Sequence, residues 1–184
     1  MTQCNVANSD FSIKPFLNPK IYVACLASYN NGRLHGCWLD ATQDLDCINE
    51  EIQDMLSNSK IPDAEEYAIH DFEDFGSFHL GEYESIANVH ELAVFIQEHG
   101  ELGAEVLQHF GDIEGAQDAL ENNYHGAYDS ELDFAMQLFD DCYLHDIPNT
   151  LQSYIDYDAF CRDLFISDYF SVEVNHEVHI FSNY

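Results

Sequence analysis

The sequence predicts an α+β protein built as three small modules behind a short tail. Three observations carry that expectation. Residues 21–40, IYVACLASYNNGRLHGCWLD, hold two β-branched, aromatic and apolar runs around Asn31-Gly32, the strongest short-range hairpin signal. Residues 85–122 carry short helical periods cut by Gly100 and Gly111. Beyond residue 124, strand-like and helix-like patterns alternate once more.

Residues 1–20 are polar, contain Pro15 and Pro19, and read as a tail. A two-residue turn at Asn31-Gly32 would set Cys25 opposite Trp38 and Cys37 opposite Leu26. The two thiols would then lie on opposite faces, unable to bond. Asp44 to Asn58 reads as a helix, because Leu45, Ile48, Ile52 and Met55 recur at helical spacing. Asp44, Asp46, Glu50, Glu51 and Asp54 take its other faces. Glu66 to Asp71 reads as a third strand, completing an α+β module over 21–75. An acidic and aromatic connection, HDFEDFGSFHLGEYES, leads to helices expected at 85–98, 101–109 and 112–122. These form a helical middle module, residues 76–123, held by packing because such short helices are marginal alone. Residues 124–184 form a second α+β module. It opens with a strand over Tyr124 to Asp129. Ser130 then caps a helix with Asp133 three residues on, a variant of the capping box. Leu132, Ala135, Met136, Phe139 and Tyr143 are that helix's expected apolar stripe. A short helix follows Pro148, another spans Asp158 to Ser167, and Tyr169–Val174 with Glu177–Phe181 close the chain as a hairpin.

Charge sets this chain apart. There are 35 acids against five bases, Lys14, Lys20, Arg33, Lys60 and Arg162, for a net charge of −30. Residues 61–161 contain no Lys or Arg and 24 Asp or Glu. Solvated helix faces normally mix signs, because opposite charges three or four residues apart stabilise each other. The stretch is nonetheless no disordered acidic tail. The chain is 46% hydrophobic and carries 25 aromatic residues, whereas acidic disordered chains are poor in them. Self-repulsion opposes compaction, so stability should rise with salt; a melting temperature that fell with NaCl would contradict this. No basic patch exists for nucleic acid, and anionic membranes repel the chain. No run approaches the ~18 apolar residues of a membrane span, and no apolar signal segment follows Met1. Six cysteines without CxxC spacing fit reduced thiols in a cytoplasm.

Conventional chemistry finds little support. Asp71, Glu73, Gly76 and Glu82 match calcium-loop positions 1, 3, 6 and 12, but Phe75 at position 5 offers no side-chain oxygen. Ten histidines show no HExxH and no i, i+4 pair on a convincing helix, so no metal site or cofactor is assigned. GxSxG, P-loop and GxGxxG motifs are absent from the sequence. A nucleophilic cysteine needs an electropositive setting, and this field should raise thiol pKa values. Cys161 beside Arg162 reads as core packing. No enzymatic activity is expected.

The charge itself remains. B-DNA carries one negative charge per ~1.7 Å of axis, so thirty charges correspond to roughly 50 Å of duplex. The candidate surface comprises the five acids of 44–54, Glu65, Glu66, Asp71, Glu73, Asp74, Glu82, Glu84, Glu91, Glu98, Glu101, Glu105, Asp112, Glu114, Asp118, Glu121, Glu131, Asp133, Asp140 and Asp141. Such a surface could occupy a basic groove where DNA goes. Composition alone leaves open a merely solvated, salt-adapted surface.

Three segments resemble the ArdA antirestriction family, DNA mimics carried by conjugative plasmids and transposons: the 21–40 hairpin, IHDFEDFG, and DIPNTLQSYIDYDAFCRDLFISDYF. The last is similar to the family's antirestriction motif, through Tyr154, Asp156, Tyr157, Phe160, Arg162, Asp163, Leu164 and Phe165. Asp146, Ile147, Pro148 and Leu151 precede this core, and Ile155 stands where an aromatic is common. The first 20 residues are additional to the family pattern. The resemblance implies an elongated three-module protein of the host bacterial cytoplasm. It implies a homodimer joined through the C-terminal module, with the motif's apolar residues at a buried interface. It also implies inhibition of type I restriction-modification enzymes by filling the DNA groove of their specificity and methyltransferase subunits. An alternative target is another DNA-binding protein: a nucleoid protein, a regulator or another defence nuclease.

Overall fold

The computed structural model describes residues 17–183. Most of the expected tail, residues 1–16, lies outside that range. The described residues fall into two compact units that divide between residues 113 and 114. Each contains one three-stranded antiparallel sheet with helices, so the α+β class holds.

The first unit is built on β1 (Lys20–Cys25), β2 (Gly36–Asp40) and β3 (Tyr67–Glu73), in the order β2-β1-β3. The expected tail thus ends in sheet: Lys20 opens β1, and the buried Pro19 carbonyl accepts the Ala41 N–H at 3.0 Å. The two-residue hairpin at Asn31-Gly32 does not form. A short helix, α1 (Leu26–Asn30), connects the strands instead. A type I′ turn needs φ > 0 at both central residues, yet Asn31 sits at φ −95° while Gly32 takes φ 71°. The Cys25 sulfur accepts the Ser28 N–H at α1's start, and the Ser28 and Ser59 hydroxyls lie 2.9 Å apart. These bonds favour a helical turn over a tight one. The register is therefore Tyr22 opposite Trp38 and Val23 opposite Cys37, not Cys25 opposite Trp38. Cys25 lies two residues beyond Val23, so it shares a face with Cys37, contrary to expectation; both remain free thiols.

Helix α2 (Leu45–Ser57) forms where the apolar period placed it, with Ile48, Ile52, Met55 and Leu56 buried. Helix α3 (Ile86–Phe110) is two helices joined at Gly100, whose φ 65° and ψ −153° are non-helical. Gly111 ends it in the left-handed region at φ 78°, where a Cβ would be strained. These breaks fall where the glycines predicted them. A ring nitrogen of His90 bonds the Ala41 carbonyl at 3.0 Å, and Gln97 donates to Thr42 at 3.3 Å, tying α3 to the end of β2. Ile21, Val23, Leu39, Ile96, Val106 and Leu107 are among the core's fully buried side chains.

The second unit contains α4 (Ile113–Asn122), β4 (Tyr124–Tyr128), α5 (Glu131–Cys142), a 3-10 turn (Leu144–Asp146), α6 (Asn149–Gln152), α7 (Tyr157–Ser167), β5 (Tyr169–Val174) and β6 (Glu177–Ser182). The sheet order is β4-β6-β5. The closing hairpin turns on Asn175 and His176, at φ 53° and 69°. Here, rather than at Asn31-Gly32, the chain makes a turn with two left-handed residues. Ser130 caps α5 by accepting the Asp133 N–H at 3.1 Å. The expected stripe of α5 needs correction. Phe134 and Ala135 are its buried residues, whereas Met136 and Tyr143 are exposed. Phe134 is ringed by His125, Tyr128, Phe165 and Tyr169. Phe139 faces Tyr157 and Phe160 of α7. Helix α5 therefore serves the sheet and α7 with different sides, and a single-stripe pattern cannot describe it.

Candidate functional site

The acids stay outside. Among the described residues no Asp or Glu is buried. Of the 24 candidate positions, 20 are exposed and Glu84, Glu101, Glu105 and Glu131 are partly covered. Ionised carboxylates are costly to bury unpaired, so apolar periods that fill the cores leave the acids in solvent. Asp63, Asp129, Asp158, Asp168, Glu173 and Glu177 are also exposed. They were not among the candidates, although the charge count already included them.

On α2, Asp46, Glu50 and Asp54 line one shallow groove with Asn49 and Gln53. Four-residue steps put a carboxylate every ~6 Å along the helix, against one phosphate per ~3.4 Å of axis on a DNA strand. One helix face therefore supplies a sparse line, and acids elsewhere must raise the density. Among the described residues, no ion pair joins Lys20, Arg33, Lys60 or Arg162 to an acid, and the ion pair present is His145 with Asp146 at 3.5 Å.

The motif segment lies on the surface of the second unit. Asp156 caps α7 by accepting the Ala159 N–H at 3.0 Å. The Tyr157 hydroxyl donates to Asp140 at 2.6 Å; that bond to a carboxylate holds the phenol above its ordinary range. Phe160 packs against Phe139 and Tyr143, and Phe165 against Phe134 and Tyr169. Asp146, Pro148, Leu151, Tyr154, Arg162 and Asp163 are exposed, while Ile147, Ile155 and Leu164 are partly covered. No residue of α6, α7 or the 3-10 turn is fully buried. Tyr154 is 81% exposed and Ile166 74%.

Three thiols are shifted, two upward and one downward. Burial, reinforced by Glu131 and Asp158, pushes Cys161 up; burial and Glu51 do the same to Cys37. Burial also raises Cys25, but hydrogen bonding with Ser28, Ser59 and Ala27 outweighs it and brings the thiol below its ordinary value. Cys25 has no exposed surface, so that shift prepares no accessible nucleophile. The calcium-loop residues are divided: Asp71 and Glu73 belong to β3, while Gly76 and Glu82 follow it. Among the described residues, no three His, Cys, Asp or Glu side chains gather as metal ligands. Also among them, no helix is long and apolar enough to cross a membrane.

The described acids thus form an array that faces solvent. Comparison with protein families matches residues 21–178 to ArdA, the antirestriction proteins. The chain belongs to the ArdA antirestriction family. Its class of activity is antirestriction rather than enzymatic catalysis, and restriction enzymes in general are its class of target. No curated protein matches the chain.

Proposed function

We propose that this protein is a DNA mimic that inhibits type I restriction-modification enzymes by occupying the DNA groove of their specificity and methyltransferase subunits. The observation that carries this reading is the exposed, base-free acidic array: 101 residues from 61 to 161 without Lys or Arg, with every described acid outside the cores. Carboxylates fixed on a folded surface can meet the Lys and Arg that otherwise contact phosphates. The test is exclusion. A type I methyltransferase is saturated with fluorescent target duplex and the protein is added. Release of duplex supports occupation of the groove; a stable complex of all three rejects it.

The same proposal includes a homodimer in the cytoplasm of a bacterial host. Exposed Tyr143, Leu151, Tyr154 and Ile166 of the motif region favour an interface there, because apolar side chains left open around one segment mark interaction sites. Tyr154→Asp combined with Ile166→Asp should convert dimer to monomer in analytical ultracentrifugation. An unchanged dimer would place the contact elsewhere.

A further inference from the structure

Beside β3 lies a cleft of about 400 Å³, lined in part by Tyr29, Ile69, His70, Asp71, Leu80 and Glu82. Its construction is local. Strand β3 is an edge strand, and the Ile69 N–H donates to the Glu82 carbonyl at 3.0 Å, which fixes the 80–82 loop alongside it. The β1–β3 register runs from Tyr22–Asp71 directly to Val23–Ile69. His70 is therefore the extra residue of a β-bulge, a device that re-aims a side chain. Its ring meets Tyr29 edge to face, with centroids 4.7 Å apart. Tyr29 is 53% exposed. One oxygen of Asp71 accepts the Phe72 N–H at 2.9 Å. Among the described residues no side-chain hydrogen bond or ion pair occupies the Glu82 carboxylate.

The lining narrows the ligand. Two carboxylates repel an anion. A purely apolar ligand would strand them without partners. His70, Asp71 and Glu82 all border the cleft, but among the described residues no three His, Cys, Asp or Glu side chains gather closely enough to hold a metal ion. An aromatic wall beside two carboxylates fits a cation that is flat, weakly hydrated on its faces and rich in donors at its edge. A guanidinium has all three properties, and an ammonium has none of the planar ones. It can lie against the Tyr29 ring while its N–H groups reach Glu82 and the free oxygen of Asp71.

We infer that this cleft is a receptor for a single arginine side chain of the basic target protein, an anchor set within the otherwise diffuse acidic surface. The inference rests on the proposed mimicry for its partner, but its test uses no restriction enzyme. The isotope-labelled full chain is titrated with acetyl-Ala-Arg-Ala-amide and with acetyl-Ala-Lys-Ala-amide at 0.15 M NaCl. Amide shifts of Tyr29, His70, Asp71 and Glu82 are followed. The arginine peptide should saturate these signals and bind about fivefold more tightly than the lysine peptide, the scale of one stacked cation. Tyr29→Leu and Glu82→Gln should each remove the preference while leaving the remaining spectrum, and so the fold, unchanged. Equal shifts from both peptides spread over the acidic surface would overturn the inference, as would an arginine preference that survives both substitutions. Neither result bears on whether the protein displaces DNA, which the duplex experiment reads separately.

Discussion

In the first unit, ten large side chains including Ile48, Ile52, Phe75 and Val89 are essentially inaccessible; in the second, Ile180 and Phe181 are the two that reach this state among the described residues. The first unit packs aliphatic helix faces on a sheet. The second gathers partly covered rings, Tyr169, Phe165, Tyr124 and Phe160, about a buried Phe134 and the two residues of β6. Each sheet also carries one β-bulge whose extra residue is histidine, His70 in β3 and His125 in β4. The environments differ. His70 lines an open cleft, whereas His125 packs on Phe134 and Tyr169 and burial depresses its pKa. The contrast lies in the interiors, since both units display acids and both leave large apolar side chains open, Leu34 and Tyr83 in the first and Tyr154 and Ile166 in the second. In the second unit the open side chains cluster around the motif, in keeping with the proposed self-association.

The largest expected effect tests the closed core. Leu107→Ala should cost about 2–5 kcal/mol, the range for emptying a well-packed aliphatic site, read as a lower urea midpoint. A cost within about 0.5 kcal/mol, the surface range, would mean the core repacks freely and the contrast between the units is weaker than the burial implies.

Charge display comes next. Changing Asp46, Glu50, Glu51 and Asp54 of α2 together to their amides should weaken binding to a type I methyltransferase about tenfold. That figure sums four exposed charge contacts at a few tenths of a kcal/mol each. Each single change should cost less than about threefold on the same scale. One substitution that matched the quadruple variant would show a hot spot on α2 in place of a distributed field.

In the second unit, Ser130→Ala should remove the cap of α5 for about 1 kcal/mol, visible as a thermal shift. The smallest effect concerns the half-buried histidines. His125 and His179 are both held below their ordinary pKa, mainly by burial; Glu177 opposes this at His179 without reversing it. The unfolded chain therefore takes up these protons first as pH falls. Their contribution to stability is present above the ordinary histidine pKa of about 6.5 and is lost as pH drops from there through the folded values. His125→Phe keeps a ring and removes one proton site. Urea midpoints from pH 7.5 to 5 should fall more for the parent than for the variant. Parallel curves would show that His125 does not titrate in this range.

Much of the fold was legible because glycine, proline and helical period act locally. Gly100 and Gly111 marked their breaks, Ser130 its cap, and Leu45 to Met55 a helix. The failures came where distant residues decide. Asn31-Gly32 looked like a turn, but Ser59 helps hold Ser28 in a helical one. The stripe of α5 was misread because Phe134 is buried by rings from β4, β5 and α7, whose meeting point no local spacing reveals. Of the candidate site, the exposed acids were legible as charge that apolar cores exclude. The Tyr29–His70 cleft was not, because it depends on a bulge and on a backbone bond between Ile69 and Glu82. Tyr29 stood inside the apparent hairpin and carried no separate signal.

The most direct measurement of the central claim is a competition titration with a charge control. A type I methyltransferase bound to labelled duplex is titrated with this protein and, in parallel, with polyglutamate at equal carboxylate concentration, at two salt concentrations. DNA mimicry predicts stoichiometric displacement by the protein, far more effective than by polyglutamate and weakening as salt rises. Displacement no better than polyglutamate would contradict it, because charge without shape would then be sufficient.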